Sequence, residues 1–335
     1  DAHLKKAASH TFGSSGHYPV EMVRSALRRG ASQVDIHLSA HQLQILDNGP
    51  GMDTAAIDTL ITLMDPTQPE ARKEEAVESI QTREGMGLLA VFAANPDEIL
   101  VENVTPAGSL RLHLKKNQFH KSPAVTSTLV GTRITLIGGH RDINQEKVLL
   151  EAFCRSVRQE VRLNHRPLGG HPFLSGQIAS APLSPSKYAS GGQIGVPQNG
   201  SICHIRLLDQ GIPWHHFTLP PQEGYIFDAA VETTEEATRE LIEHLCRYGY
   251  SLYRWLGNRY TGTDPVHRER IEELLYTHCR QTHDETLVLQ YARFNLFDTA
   301  GTLDLGQVRR KAAAGSLYAV PRGKEHLSYH TAHKT

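Results

Sequence analysis

Six consecutive residues, Asp47-Asn48-Gly49-Pro50-Gly51-Met52, put a carboxylate beside two closely spaced glycines at the end of an alternating apolar run. Val34, Ile36 and Leu38, then Leu43 and Ile45, alternate as half-buried strands do, so the second run delivers Asp47 to the end of a sheet. An aspartate there can accept a hydrogen bond from an exocyclic amine such as that of adenine, and glycines let a flat ring approach the backbone. The same D-x-G-x-G spacing also serves a tight turn after a strand, and the segment alone leaves both readings open. Gly85-Met86-Gly87 precedes the apolar run Leu88 to Phe92. Glycines at a helix start let backbone N–H groups face an anion such as phosphate, and they also serve plain helix–sheet packing. Gly131-Thr132 opens the alternating stretch Val130 to Ile137, where a threonine hydroxyl can bond a buried acidic residue or its bound water.

These residues need elements to hold them. Pro19 suits the first turn of a helix and Gly30 its end, with Val20, Val23 and Leu27 as the apolar stripe. Glu21, Ser25 and Arg28 stand at i, i+4 and i+7 and share a face, with Arg24 beside them. That face is either a ligand wall or a solvated surface carrying a Glu21/Arg24 or Glu21/Arg28 pair. Ahead of it, residues 1 to 17 form an arm with a short basic helix, Ala2 to Ser9, and a Gly/Ser loop. Asp53 to Thr82, with Pro66, Pro69 and the charged run Glu70 to Glu75, reads as a helical, mobile excursion more than as core. Strands are expected at Ile99 to Val104, Leu110 to Leu114 and Val161 to Asn164, and an amphipathic helix at Gln145 to Val161.

With 335 residues, 39% apolar and 21% charged, the chain can bury a sizeable core and is expected to hold two domains. Gly169-Gly170, Pro182, Pro185, Gly191-Gly192 and Pro197 break any periodicity, which places a loop-rich connection at 166–200 between domains at 1–165 and 201–335. Beyond it, Ile202 to Leu208 and Tyr225 to Val231 read as strands and Glu235 to Leu256 and Val266 to Cys279 as helices, an α+β pattern. A net charge of −1 gives no electrostatic argument for nucleic acid or an anionic membrane, although a local basic patch stays open. Cys154, Cys203, Cys246 and Cys279 lie far apart without a C-x-x-C pair, which argues against a zinc ribbon or disulfide framework and for a reducing, cytoplasmic home. No run approaches the roughly eighteen apolar residues of a membrane span. The twenty histidines include no H-E-x-x-H, His215 and His216 are adjacent, and His326, His330 and His333 fall in a polar tail. Asp1 stands where Met would start a chain, which fits a processed product or a piece of something longer.

The order of parts is more informative than any one of them: a helix with Glu21, D-N-G-P-G-M, an insertion, G-M-G before a helix, then G-T-R-I-T-L. Over about residues 10–165 it resembles the GHKL superfamily of ATP-binding domains, closest to its MutL and ninety-kilodalton heat-shock chaperone branches. The resemblance implies a Bergerat-type α/β sandwich with a mixed, mostly antiparallel sheet, ATP under a flexible lid, and a second, transducer-like α+β domain. It implies that Asp47 binds adenine, that Gly49 and Gly51 with Met52 form the turn beside it, and that Gly85 and Gly87 form the phosphate-side box. Thr132 would then stand beside the aspartate and Glu21 would be the general base that activates water. Where the family has a Mg²⁺-binding asparagine this chain has Ser25, shorter by one carbon, and Arg24 and Arg28 stand near acidic positions of the family. Arginines there could take over part of the metal's charge, giving nucleotide binding with slow hydrolysis. A transiently homodimeric ATPase clamp with a protein client, nucleic acid not excluded and no membrane, is one expectation. A pseudo-ATPase scaffold that keeps the fold is the other.

Overall fold

The computed structural model describes residues 16–80, 86–123, 130–139, 141–259, 265–291, 293–295 and 302–316. The expected N-terminal helix, Gly85 and the tail histidines lie outside the described residues. The chain divides into two compact units, one taking the described residues up to Phe173 together with Leu208–Trp214, the other the remainder. Both are α+β, built on mixed or antiparallel sheets.

In the first unit the alternating runs form β1 (Gln33–Leu38) and β2 (Gln42–Asp47), antiparallel, with Val34 opposite Asp47. Every second residue of each is buried, and in β2 that series is Leu43, Ile45, Asp47. The aspartate therefore occupies a position whose pattern calls for an apolar side chain. β3 (Glu98–Thr105), β4 (Gly108–Lys115), β5 (Gln118–Ser122), β6 (Gly131–Ile137), β7 (Glu160–Leu163) and β8 (Arg166–Pro167) complete an eight-stranded sheet in the order β5-β4-β3-β6-β2-β1-β7-β8. Its neighbours pair antiparallel except β1 and β7, which run parallel.

Helix α1 (Tyr18–Arg28) carries Pro19 in its first turn and buries Val20, Val23 and Leu27 in the same core as the strands. α2 (Thr54–Met64) is capped by Asp53, whose carboxylate accepts the Ala56 N–H at 2.8 Å, and α3 (Glu70–Ile80) follows. These two helices correct the expectation of an excursion: Ile57, Leu60, Leu63, Met64, Val77 and Ile80 are all core residues. The charged run Glu70 to Glu75 masked a stripe repeating every three or four residues, which is the spacing of a buried helix face. α4 (Met86–Ala90) packs against α1, and α5 (Ile143–Phe153) starts at an Asp142 cap. The helix expected to reach Val161 stops eight residues earlier, because Glu160 to Leu163 pair with β1 instead.

In the second unit β9 (Gln177–Pro182) and β10 (Gly191–Pro197) arise inside the stretch expected to be loop-rich. With β11 (Cys203–Asp209), β12 (Ile212–Leu219) and β13 (Asp228–Glu232) they form a sheet of order β12-β11-β13-β10-β9. Periodicity could not show β10, because Gly191, Gly192 and Gly195 are strand residues there. Gly192 has no room for a side chain against the Ala230 carbonyl of β13. Helices α6 (Arg239–Arg259), α7 (Pro265–Thr282), α8 (Thr286–Tyr291) and α9 (Leu305–Ala313), with a small β14 (Arg293–Asn295) and β15 (Thr302–Asp304) pair, complete it. Among the described residues no helix is long and apolar enough to cross a membrane.

Candidate functional site

Asp47 is 4% exposed, and its carboxylate is satisfied from three directions. Oδ1 accepts the backbone N–H of Gly49 at 2.9 Å and of Thr132 at 3.3 Å, while Oδ2 accepts Nη2 of Arg29 at 3.0 Å. Strand register explains the company it keeps. Asp47 of β2 stands opposite Thr132 of β6, and Thr132 opposite Asn103 of β3, so three polar residues form one row across the sheet. The Thr132 hydroxyl lies 3.3 Å from Asn103 Oδ1, so its hydroxyl goes to the asparagine and its backbone to the aspartate.

Asn103 carries a role that sequence reasoning missed. Buried to 5% exposure, it accepts the Met52 N–H at 2.7 Å and donates to the Met52 carbonyl at 3.0 Å, holding that peptide as a neighbouring strand would. Gly51 makes this approach possible: its φ is +85°, and an added Cβ would stand 2.8 Å from Thr105 Cγ2 and 2.9 Å from Asn103 Oδ1. Asn48 faces the other way. Its Oδ1 accepts the N–H groups of Ser32 and Gln33 at 3.0 and 2.9 Å, tying the start of β1 to the end of β2.

On α1 the expected face forms, but it is a paired one. Glu21 receives Nη1 of Arg24, and Arg24 Nη2 donates to the Pro213 carbonyl at 2.9 Å. Arg28 grips Asp209 with Nε at 2.7 Å and with Nη2. Ser25 Oγ accepts Nη1 of Arg29 at 2.7 Å, and the same guanidinium reaches Asp47. Arg29 thus links the Glu21/Ser25 face to the Asp47 row. It was absent from the sequence reading, though its signal was there: Glu21, Ser25 and Arg29 repeat every four residues. Gly87 has a packing role in this arrangement, because a side chain on it would overlap Ser25, and α4 can approach α1 only without one.

The structure therefore brings together Asp47, Gly49, Gly51, Met52, Thr132, Ser25 and Gly87, adds Asn103 and Arg29, and places Glu21, Arg24 and Arg28 in ion pairs along the same helix. Gly85 lies outside the described residues. Among those residues no group of three or more His, Cys, Asp and Glu could hold a metal ion. Ser25 is the residue that would meet Mg²⁺, which wants near-octahedral oxygen ligands at about 2.0–2.1 Å. Its hydroxyl already accepts from a guanidinium, and Glu21 is neutralised by Arg24. The residues present do not fit that ion. No family model matches the chain, and no curated protein matches it.

Proposed function

We propose that the first unit is a GHKL-type ATP-binding module that acts as a nucleotide-driven switch, with hydrolysis slow or held back. The observation that carries this reading is the row Asp47, Thr132, Asn103: a buried carboxylate at a strand end, beside a glycine turn that the asparagine clamps by its backbone. Apolar packing alone would not retain three buried polar side chains in line, since each costs free energy unless paired. In this reading Asp47 accepts the exocyclic amine of adenine, Gly49 and Gly51 leave space for the ring, and the Glu21/Ser25 face of α1 lies toward the phosphates. Glu21 is the group able to act as general base, and it must leave Arg24 to do so. Nucleotide then biases two protomers toward a closed dimer through its differential affinity for that state. Beyond ATP, a protein client and a nucleic acid are separated by a salt-dependent DNA titration, where no binding at low salt removes the nucleic acid.

A second reading, a scaffold that keeps the fold without nucleotide chemistry, is favoured by the ion pairs Glu21–Arg24 and Asp47–Arg29, each of which ties up a group the first reading needs. Calorimetric titration with ATP on wild type and Asp47→Asn, followed by turnover on wild type and Glu21→Ala, separates the two. Binding that needs Asp47 and turnover that needs Glu21 support the switch. Binding without turnover supports a nucleotide-sensing module, and absence of binding leaves the scaffold.

A further inference from the structure

Of the four charged residues on this face of α1 and its cap, Arg29 is the one whose guanidinium reaches Asp47. Arg24 holds Glu21 and the Pro213 carbonyl, with its own Nε–H also lacking an acceptor among the described residues, and Arg28 holds Asp209. Arg29 instead spans Ser25 and Asp47, the two side chains that the nucleotide reading assigns to the phosphate side and the base side of one ligand. Its side chain is 21% exposed, yet its Nε–H is buried with no acceptor among the described residues. The guanidinium is thus held with one donor unmet, a seat that a ligand rich in oxygen acceptors would improve upon.

Resting on that nucleotide reading, we infer that Arg29 is the resident cation of the pocket: it neutralises Asp47 when nucleotide is absent, and moves to the phosphates when a nucleoside polyphosphate enters, so that binding needs no Mg²⁺. The exchange conserves pairing. Asp47 Oδ1 stays with the Gly49 and Thr132 N–H groups, Oδ2 passes from the guanidinium to the exocyclic amine, and the guanidinium passes from one carboxylate oxygen to phosphate oxygens of greater charge. A bare nucleoside breaks the Arg29–Asp47 pair with nothing to receive the cation, so the pocket selects for the polyphosphate although its base-reading group is the same. A metal is redundant in this scheme, since the guanidinium that starts at hydrogen-bond distance from the Ser25 hydroxyl itself brings positive charge to the phosphates and repels a second cation.

The test is calorimetry with ATP and with adenosine, each in Mg²⁺ and in EDTA, on wild type, Arg29→Met and Arg29→Lys, with circular dichroism to show that each variant folds. Wild type is expected to bind ATP equally in both buffers and adenosine at least about tenfold more weakly, the factor carried by one charge-assisted hydrogen bond. Arg29→Met should bind adenosine more tightly and ATP more weakly, so that the preference for the polyphosphate collapses, while Arg29→Lys keeps part of it. ATP binding by wild type that vanishes in EDTA overturns the inference and leaves the nucleotide reading intact. So does an Arg29→Met protein in which both ligands gain affinity together, which would make Arg29 a plug only. If neither ligand binds any of the proteins, both readings fall. Should Arg29→Met not fold, Arg29→Lys and the wild-type EDTA comparison still decide.

Discussion

Asn103 shows how one amide can hold a turn in place. It meets both the N–H and the C=O of Met52, and it is the end of the buried polar row that begins at Asp47. Replacing it with alanine strands two buried backbone groups and the Thr132 hydroxyl, which should cost about 2–4 kcal/mol in urea unfolding at the usual penalty per unsatisfied group. Amide exchange at Met52 should accelerate more than exchange along β2. A uniform rise in exchange would mean that the loss is global and that the clamp has no local role. The place of Asp47 at the end of a strand was legible in the sequence, since the alternation of Leu43 and Ile45 runs on to it. Asn103 was not, because its importance comes from the register of three strands that are distant in sequence. Arg29 falls between these cases: its four-residue spacing from Ser25 was visible, but a charge at a helix end next to Gly30 reads most simply as a solvated C-terminal cation.

At the scale of elements, α1 is anchored at its start by a buried cluster. The Tyr18 hydroxyl donates to Glu146 of α5, and Arg141 reaches the same carboxylate at 2.6 Å, with side-chain exposures of 2% and 1% for the arginine and glutamate. Burial and then the Glu146 carboxylate push the Tyr18 phenol well above its usual range, so it stays a proton donor. Arg141→Met should cost about 3–5 kcal/mol by leaving Glu146 buried and uncompensated, and the double change with Glu146→Leu should recover much of it. A double variant no more stable than the single one would refute the ion-pair account. In the second unit, α7 buries His278 against Tyr225, ring centroids 4.5 Å apart, with Nδ1 3.1 Å from the Glu223 carbonyl and Nε2 without a partner among the described residues. The carbonyl requires a proton on Nδ1, and burial holds the imidazole below its usual pKa, opposed by Asp284 and that carbonyl. The unfolded chain takes up the proton first as pH falls. Stability from this group is therefore complete above about pH 6.5 and declines below it, with a slope of at most ~1.4 kcal/mol per pH unit. Urea midpoints from pH 7.5 to 5 should show the decline in wild type and a shallower one in His278→Gln. Equal slopes would place the effect on His216 or His244, whose burial also lowers them.

For the molecule as a whole, the boundary between units is not a cut in the sequence. Leu208–Trp214 belongs to the first unit, where Ile212 is in the core and Asp209 is 2% exposed beneath Arg28. Sequence pattern placed the expected boundary at 165, because glycines and prolines mark loops locally. The Arg28–Asp209 pair joins residues 181 positions apart, which no local window can see. A fragment ending at Phe173 should lose on the order of 3 kcal/mol relative to the first unit in the whole chain, from the loss of Asp209 beside Arg28 and a gap where Ile212 packs. Hydrogen exchange of β1 and β2 in both proteins measures this, and equal protection would show the hairpin tip to be dispensable.

That borrowed tip also sets a clock for synthesis. Leu174–Leu207 must be made before the residues that finish the first unit exist. At ~5–20 residues per second the ribosome needs a few seconds to supply them. For that interval the nascent first unit lacks Asp209 and Ile212, and the contacts those residues make close a long loop, the slow kind of event in folding. The unit with the proposed pocket is complete only when part of the following unit has been translated, so the two are coupled in time by the order in which the chain is made.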